Sequence, residues 1–272
     1  MAKGKWTKTS KSLLFKLIYR AVLFLSALIY YVTFLILGGN YHDGNILFGD
    51  IDTIPVFLIL MTLVFGIEMI IRFFTTKHEP IGNQKMFKAN YIPAKNVERK
   101  SPLKQSPKRT LLVFGAWSAL NLLFGVLYFL DIFSADILVL ISLAYSICDL
   151  ICIMFFCPFQ AWMMKNKCCA TCRIYNWDYP MMFTPLIFLI FKPAPILHYV
   201  LLTLALAVLL IWEITYIRHP ERFCENTNER LQCKNCNERL CKHNKFYPNR
   251  QALERLKEEK RKEIKQEETA NI

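Results

Sequence analysis

Two clusters of cysteines carry most of the chemistry that can be read from this chain. Eight of its ten cysteines fall in them: Cys157, Cys168, Cys169 and Cys172 in one, and Cys224, Cys233, Cys236 and Cys241 in the other. Each cluster holds a Cys-x-x-Cys pair, Cys169 with Cys172 and Cys233 with Cys236. Such a turn aims two thiolates at one point, and two turns complete the tetrahedral shell that zinc prefers. Cys169, Cys172, Cys233 and Cys236 are therefore the expected four-thiolate metal site, with Cys157, Cys168, Cys224, Cys241 and His243 as alternative ligands or a second site. The two pairs stand about 60 residues apart, against roughly 15 to 20 in an ordinary zinc ribbon. A membrane hairpin between the clusters accounts for the gap, because it returns the chain to the side it left.

Iron–sulfur clusters are also held by four thiolates at short spacings, so Zn2+ and an iron–sulfur cluster are the two cofactors expected. The run Cys233-x-x-Cys236-x-x-x-x-Cys241 inverts the plant-type ferredoxin order, and Cys241 stands where a zinc knuckle has histidine. Thiol redox catalysis is a weaker expectation, because the βαβ context of a thioredoxin-like motif is missing. Cys148 and Cys152, four apart in an apolar segment, are expected to pack as small hydrophobes.

A second signal is the set of ionisable residues in or near apolar segments: Arg20, Glu68, Arg72, Asp149 and Glu213. Charges in hydrocarbon are costly unless paired or hydrated, which makes Glu68, Asp149 and Glu213 candidate functional groups. Glu68 and Arg72 are spaced to pair across one helical turn. Lys16 and Arg20 are expected to snorkel toward headgroups. Asp149 and Glu213 lie deepest and, with Asn121, could line a solute or proton path. No glycine-rich phosphate loop, nucleophile elbow or paired-histidine helix is present. No catalytic residue is assigned, and binding is expected ahead of catalysis.

The elements that must position these residues follow from hydropathy. Of the 272 residues, 54% are apolar and they gather in blocks; a hydrocarbon core about 30 Å thick needs roughly 20 such residues in a helix. The expected fold is an all-α polytopic bundle of six transmembrane helices within 1–217, near 13–37, 54–74, 111–130, 137–156, 178–191 and 196–217. The first is too long for a cleaved signal peptide and stays in the mature protein. The fifth is short and broken by Pro185, so whether Met181 to Phe191 crosses is settled by charge.

Lys and Arg crowd the stretch before the first span and the loop 75–110. The segments around Asp43, Asp50, Asp52, Asp131 and Asp136 lack them. By the bias of basic residues toward the cytoplasm, both termini and every cysteine lie on the inner side. Thiols there stay reduced. The net charge of +13 is explained by topology and by anionic lipid headgroups, which leaves no role for nucleic acid. Between and after the spans the chain reads as an irregular basic loop at 75–110, a cysteine-rich loop at 157–178, a cysteine-rich module at 218–249 and a charged helical tail at 250–272.

The functional expectation is an integral membrane protein, of the plasma or inner membrane, whose cytosolic cysteine-ligated metal centre serves as a structural cap or as a scaffold for a cytosolic protein partner. A membrane transporter using Asp149 and Glu213 is the alternative, as is electron transfer if the metal is an iron–sulfur cluster.

Overall fold

The computed structural model describes residues 8–37, 56–74, 80–94, 107–166, 168–191 and 196–232. Seven α-helices order these residues: α1 Lys8–Ile36, α2 Val56–Ile71, α3 Ile81–Gln84, α4 Pro107–Phe129, α5 Ala135–Met154, α6 Asp178–Phe183 and α7 Ile196–Arg218. Four of them, α1, α4, α5 and α7, are long and apolar enough to cross a membrane. Large apolar side chains such as Phe15, Leu111, Leu122, Leu206 and Ile217 cover their outer faces. That surface suits lipid and would be a liability in water.

Two expected spans differ from the sequence reading. The second is expected over 54–74; among the described residues its helix is α2, which gives way to a turn at Arg72–Phe74, while 54 and 55 lie outside the described residues. The turn sets the Arg72 guanidinium against Asp178 (see below). The fifth is a composite: α6 runs to Phe183, and from Thr184 to Phe191 the chain winds as a 3-10 helix. Pro185 near the junction has no N–H to give an α-helical ladder.

The core forms where α1 packs along α5 and α2 along α7, with α6 and the 3-10 segment between α5 and α7. Ala27, Leu58, Phe65, Leu138, Leu143, Phe183, Leu201 and Val208 meet there, fully enclosed. Gly125 lets Phe188 lie directly on α4, since a Cβ at that position would stand 2.4 Å from the ring. The turn from α4 to α5 is a Schellman motif: Asp131 takes a positive φ of 56°, its N–H bonds Tyr128 O, and the Ile132 N–H bonds Leu127 O.

At one end of the bundle three separated segments interlock into a cap. Residues 80–94, expected to be irregular, are ordered by it. Ala94 N–H bonds Thr227 O at 3.0 Å and Glu229 N–H bonds Ile92 O at 2.8 Å, flanking a single antiparallel bridge from Pro93 to Asn228. Arg222 donates to Met86 O, and Asn228 Nδ2 donates back to Arg222 O at 2.9 Å. The third segment, 157–177, joins through Gly82, whose missing side chain leaves room for the Tyr175 ring at a distance where a Cβ would meet it at 2.5 Å. The expected loop ends early, since 107–110 open α4; residues 75–79, 95–106 and 233–272, including the charged tail, lie outside the described residues.

Candidate functional site

The cysteines of the first cluster are positioned by the way α5 ends. Its last turn carries Cys152, the helix unwinds at Phe155, and Cys157 opens a wide turn over Phe159–Met163. Cys152 and Cys169 both hydrogen-bond Cys157, and the Gln160 N–H adds a third donor at 3.4 Å. These donors, Cys152 first and Cys169 second, hold the Cys157 thiol well below its ordinary pKa. Cys169, which gives its proton toward Cys157 and toward Gln160 Oε1 at 3.2 Å, is pushed up in turn. Cys172 is buried and raised by that burial. The Cys-x-x-Cys turn itself is a tight 3-10 turn, with the Cys172 N–H on Cys169 O at 2.9 Å.

Cys152 was expected merely to pack, yet it belongs to this thiol group. Its place five residues before Cys157 is plain in the sequence, but the helix end that lies between them is not. Cys148 is exposed on α5. Among the described residues no group of three or more His, Cys, Asp or Glu side chains is arranged to hold a metal ion. Cys233, Cys236, Cys241 and His243 lie outside the described residues, so the expected four-thiolate set is represented only by its Cys169 and Cys172 half. Cys224 sits where the C-terminal module begins.

That module starts against the first cluster. Phe223 packs edge-on to Trp212 with centroids 4.8 Å apart, and the Trp212 indole donates to Arg173 O at 2.7 Å, one residue from Cys172. Between them lies Lys85, which sequence reasoning missed. Its ammonium donates to Cys172 O at 3.1 Å and is surrounded by the rings of Trp212, Phe223 and Tyr175 at 5.1, 5.3 and 5.7 Å. Burial pushes the Lys85 amine down to about 7, against the opposing pull of Cys172, Cys168 and Cys169. The signal available in the sequence was a lysine flanked by Gly82, Met86 and Phe87 in an otherwise polar loop.

The intramembrane charges find partners on other elements. Arg20 is fully buried and does not snorkel. It pairs with Glu68 on α2, bonds Ser146 O at 2.9 Å and approaches Asp149 at 3.7 Å. Tyr19 and Tyr179 also donate to Glu68. Arg72 bonds both carboxylate oxygens of Asp178 and stacks 4.2 Å over the Tyr179 ring. Glu213 accepts from Arg173 and from the Trp177 indole at 2.8 Å.

Two cavities adjoin these groups. One, about 290 Å³, is lined by Asp149, Cys152, Cys157, Cys169 and aromatic rings; the other, about 620 Å³, lies beside Glu213 between α4 and α7. Trp117 and Met181 line both. Asn121 is buried, with its amide N–H on Trp117 O at 2.9 Å, one helical turn back along α4.

What fold and site define is a class: an all-helical protein of integral-membrane type, with a thiol group and buried ion pairs gathered at one capped end. Comparison with protein-family models, with curated protein sequences and with solved structures finds no match to this chain.

Proposed function

We propose that the protein is an integral membrane protein of six spans, with both termini cytoplasmic, whose cap is closed by a metal held on Cys169, Cys172, Cys233 and Cys236. Zinc is favoured over an iron–sulfur cluster, and the role is a structural cap that offers a surface to a cytosolic protein. The observation that carries this reading is the docking of the C-terminal module on the first cysteine loop through Phe223, Trp212 and Arg173. Gln232, the last described residue of that module, bonds back to Glu229 in a tight turn, and Cys233 follows it directly. A four-thiolate zinc centre carries net negative charge, and Lys85 beside Cys172 supplies a cation of the kind that balances it. Basic-residue bias supports the orientation.

The test is elemental analysis with an absorbance spectrum on full-length protein purified without air and without added metal. One zinc per chain and no visible band is the expected result. Iron with sulfide and a broad visible absorption would convert the cap into an electron-transfer centre. Neither metal, with every thiol titrating, would remove the cap reading. Cys169→Ser is expected to lose the metal together with the order of the cap.

The paired cavities favour transport as a second reading, with Asp149 on one side of Trp117 and Met181 and Glu213 on the other. Proton flux into proteoliposomes, read with an entrapped pH dye, is expected under that reading to vanish in Asp149→Asn while the folded state persists. Equal flux in the variant and the parent would exclude Asp149 from any path.

A further inference from the structure

The cavity of about 290 Å³, on whose wall Asp149, Cys169 and Cys172 also lie, gathers two further thiols and a set of aromatic rings. Its wall combines Cys152 and Cys157 with the rings of Trp117, Tyr145, Phe159 and Tyr175. The rings are set against one another, with Trp117 centred 4.6 Å from Tyr145 and 5.9 Å from Phe159. Cys148 lines the cavity and is also exposed on α5, near the exposed Ile151 and Phe155. The hollow therefore reaches the outer, apolar face of the bundle, and its occupant would arrive from hydrocarbon. The Tyr145 hydroxyl is buried there beside the Asn121 side chain, and its O–H is a donor of the kind that a carbonyl oxygen accepts. The volume is at the small end of ligand pockets, roughly 300–1,000 Å³, which suits one substituted ring and excludes a folded lipid chain.

A planar apolar molecule that bears carbonyl acceptors, dissolves in the bilayer and reacts with a pair of thiols is a quinone. We propose that this cavity receives the ring of a membrane para-quinone, which oxidises Cys152 and Cys157 to a disulfide. Two S–H bonds break and one S–S bond forms. The two electrons and two protons pass to the quinone oxygens and leave hydroquinone, so the step balances with no other reactant. Cys169, Cys172 and the C-terminal cysteines take no part in the oxidation, so the inference stands or falls independently of the metal.

The probe is duroquinone, whose ring carbons are all substituted; it oxidises thiols without alkylating them. Full-length protein in nanodiscs is reduced, freed of reductant without air, and mixed with one equivalent. The expected result is one hydroquinone formed and two thiols lost per chain, with a disulfide between the Cys152 and Cys157 peptides in the mass spectrum. Cys152→Ala and Cys157→Ala should each slow the reaction at least tenfold, whereas Cys168→Ala should not. Met181→Trp, which fills the cavity and keeps both thiols, should slow it similarly and guards against misreading a folding defect. Oxidation no faster than that of free glutathione, or a disulfide that maps to Cys169–Cys172, would overturn the proposal. Metal content measured on the same samples separates the two readings: metal without quinone reactivity defeats only this inference, and the disulfide without metal defeats only the cap.

Discussion

Replacing Arg72 with leucine removes the group that ties the end of α2 to the start of α6. In the native protein its two terminal nitrogens bond both oxygens of Asp178, one of them at 2.7 Å, and Nη1 also approaches Asn176 Oδ1 at 3.4 Å. The side chains are 7% and 2% exposed, so water contributes little screening. Deleting one partner of a buried pair costs about 3–5 kcal/mol, mostly through the charge left behind. Asp178→Leu should therefore cost a similar amount. Arg72→Leu/Asp178→Leu removes both charges and should return to within about 2 kcal/mol of the parent, because buried pairs exchanged for apolar residues are often close to neutral. The double-mutant cycle then yields a coupling of at least about 4 kcal/mol. Unfolding in mixed micelles of dodecyl maltoside and SDS, followed by tryptophan fluorescence, measures all four species. Single variants that cost under about 1 kcal/mol, or a double variant equal to the sum of the singles, would show that the pair is hydrated and refute this argument.

Two further outcomes are expected. Gly82→Ala forces a Cβ into the Tyr175 ring at 2.5 Å; an overpacking cost of about 1–3 kcal/mol should appear as faster amide exchange in 80–94 and 168–177, with α5 and α7 unaffected. Lys85 has a folded pKa near 7 against 10.5 unfolded, so between those values the unfolded chain binds more protons. Its contribution therefore makes the cap more stable as pH rises from about 7 toward 10, and levels off below 7. Lys85→Met should flatten that slope, as read from thermal unfolding of the cap at a series of pH values. An unchanged slope would place the amine in water.

The long helices were legible because lipid imposes one rule on every residue of a span, and blocks such as Ile196–Ile217 obey it without help from neighbours. Partners were not legible. Glu68 and Arg72 sit one turn apart and invited a local pair, yet their strong partners, Arg20 and Asp178, come from helices 48 and 106 positions away. Sequence spacing carries no record of such distances. The contacts that order 80–94 were not legible for a related reason. They are single contacts (Gly82 under Tyr175, Lys85 among three rings, Asn228 bridging back), none of which leaves a periodic trace. At the thiol group, the clustering of Cys157 with Cys169 was readable, whereas the helix break at Phe155 that turns Cys152 toward them was not.

The 3-10 winding after α6 alters how far a short segment reaches. An α-helix rises about 1.5 Å per residue and a 3-10 helix about 2.0 Å. Six residues of the first kind followed by eight of the second extend about 25 Å, the length that 16 or 17 residues cover in an α-helix. Tighter coiling thus makes a slimmer and longer rod from the same chain. An apolar run that looks too short by residue count comes within a few ångströms of the hydrocarbon thickness, and the thinner rod leaves lateral room for the aromatic rings of Phe188 and Phe191 to pack against Phe129 on α4.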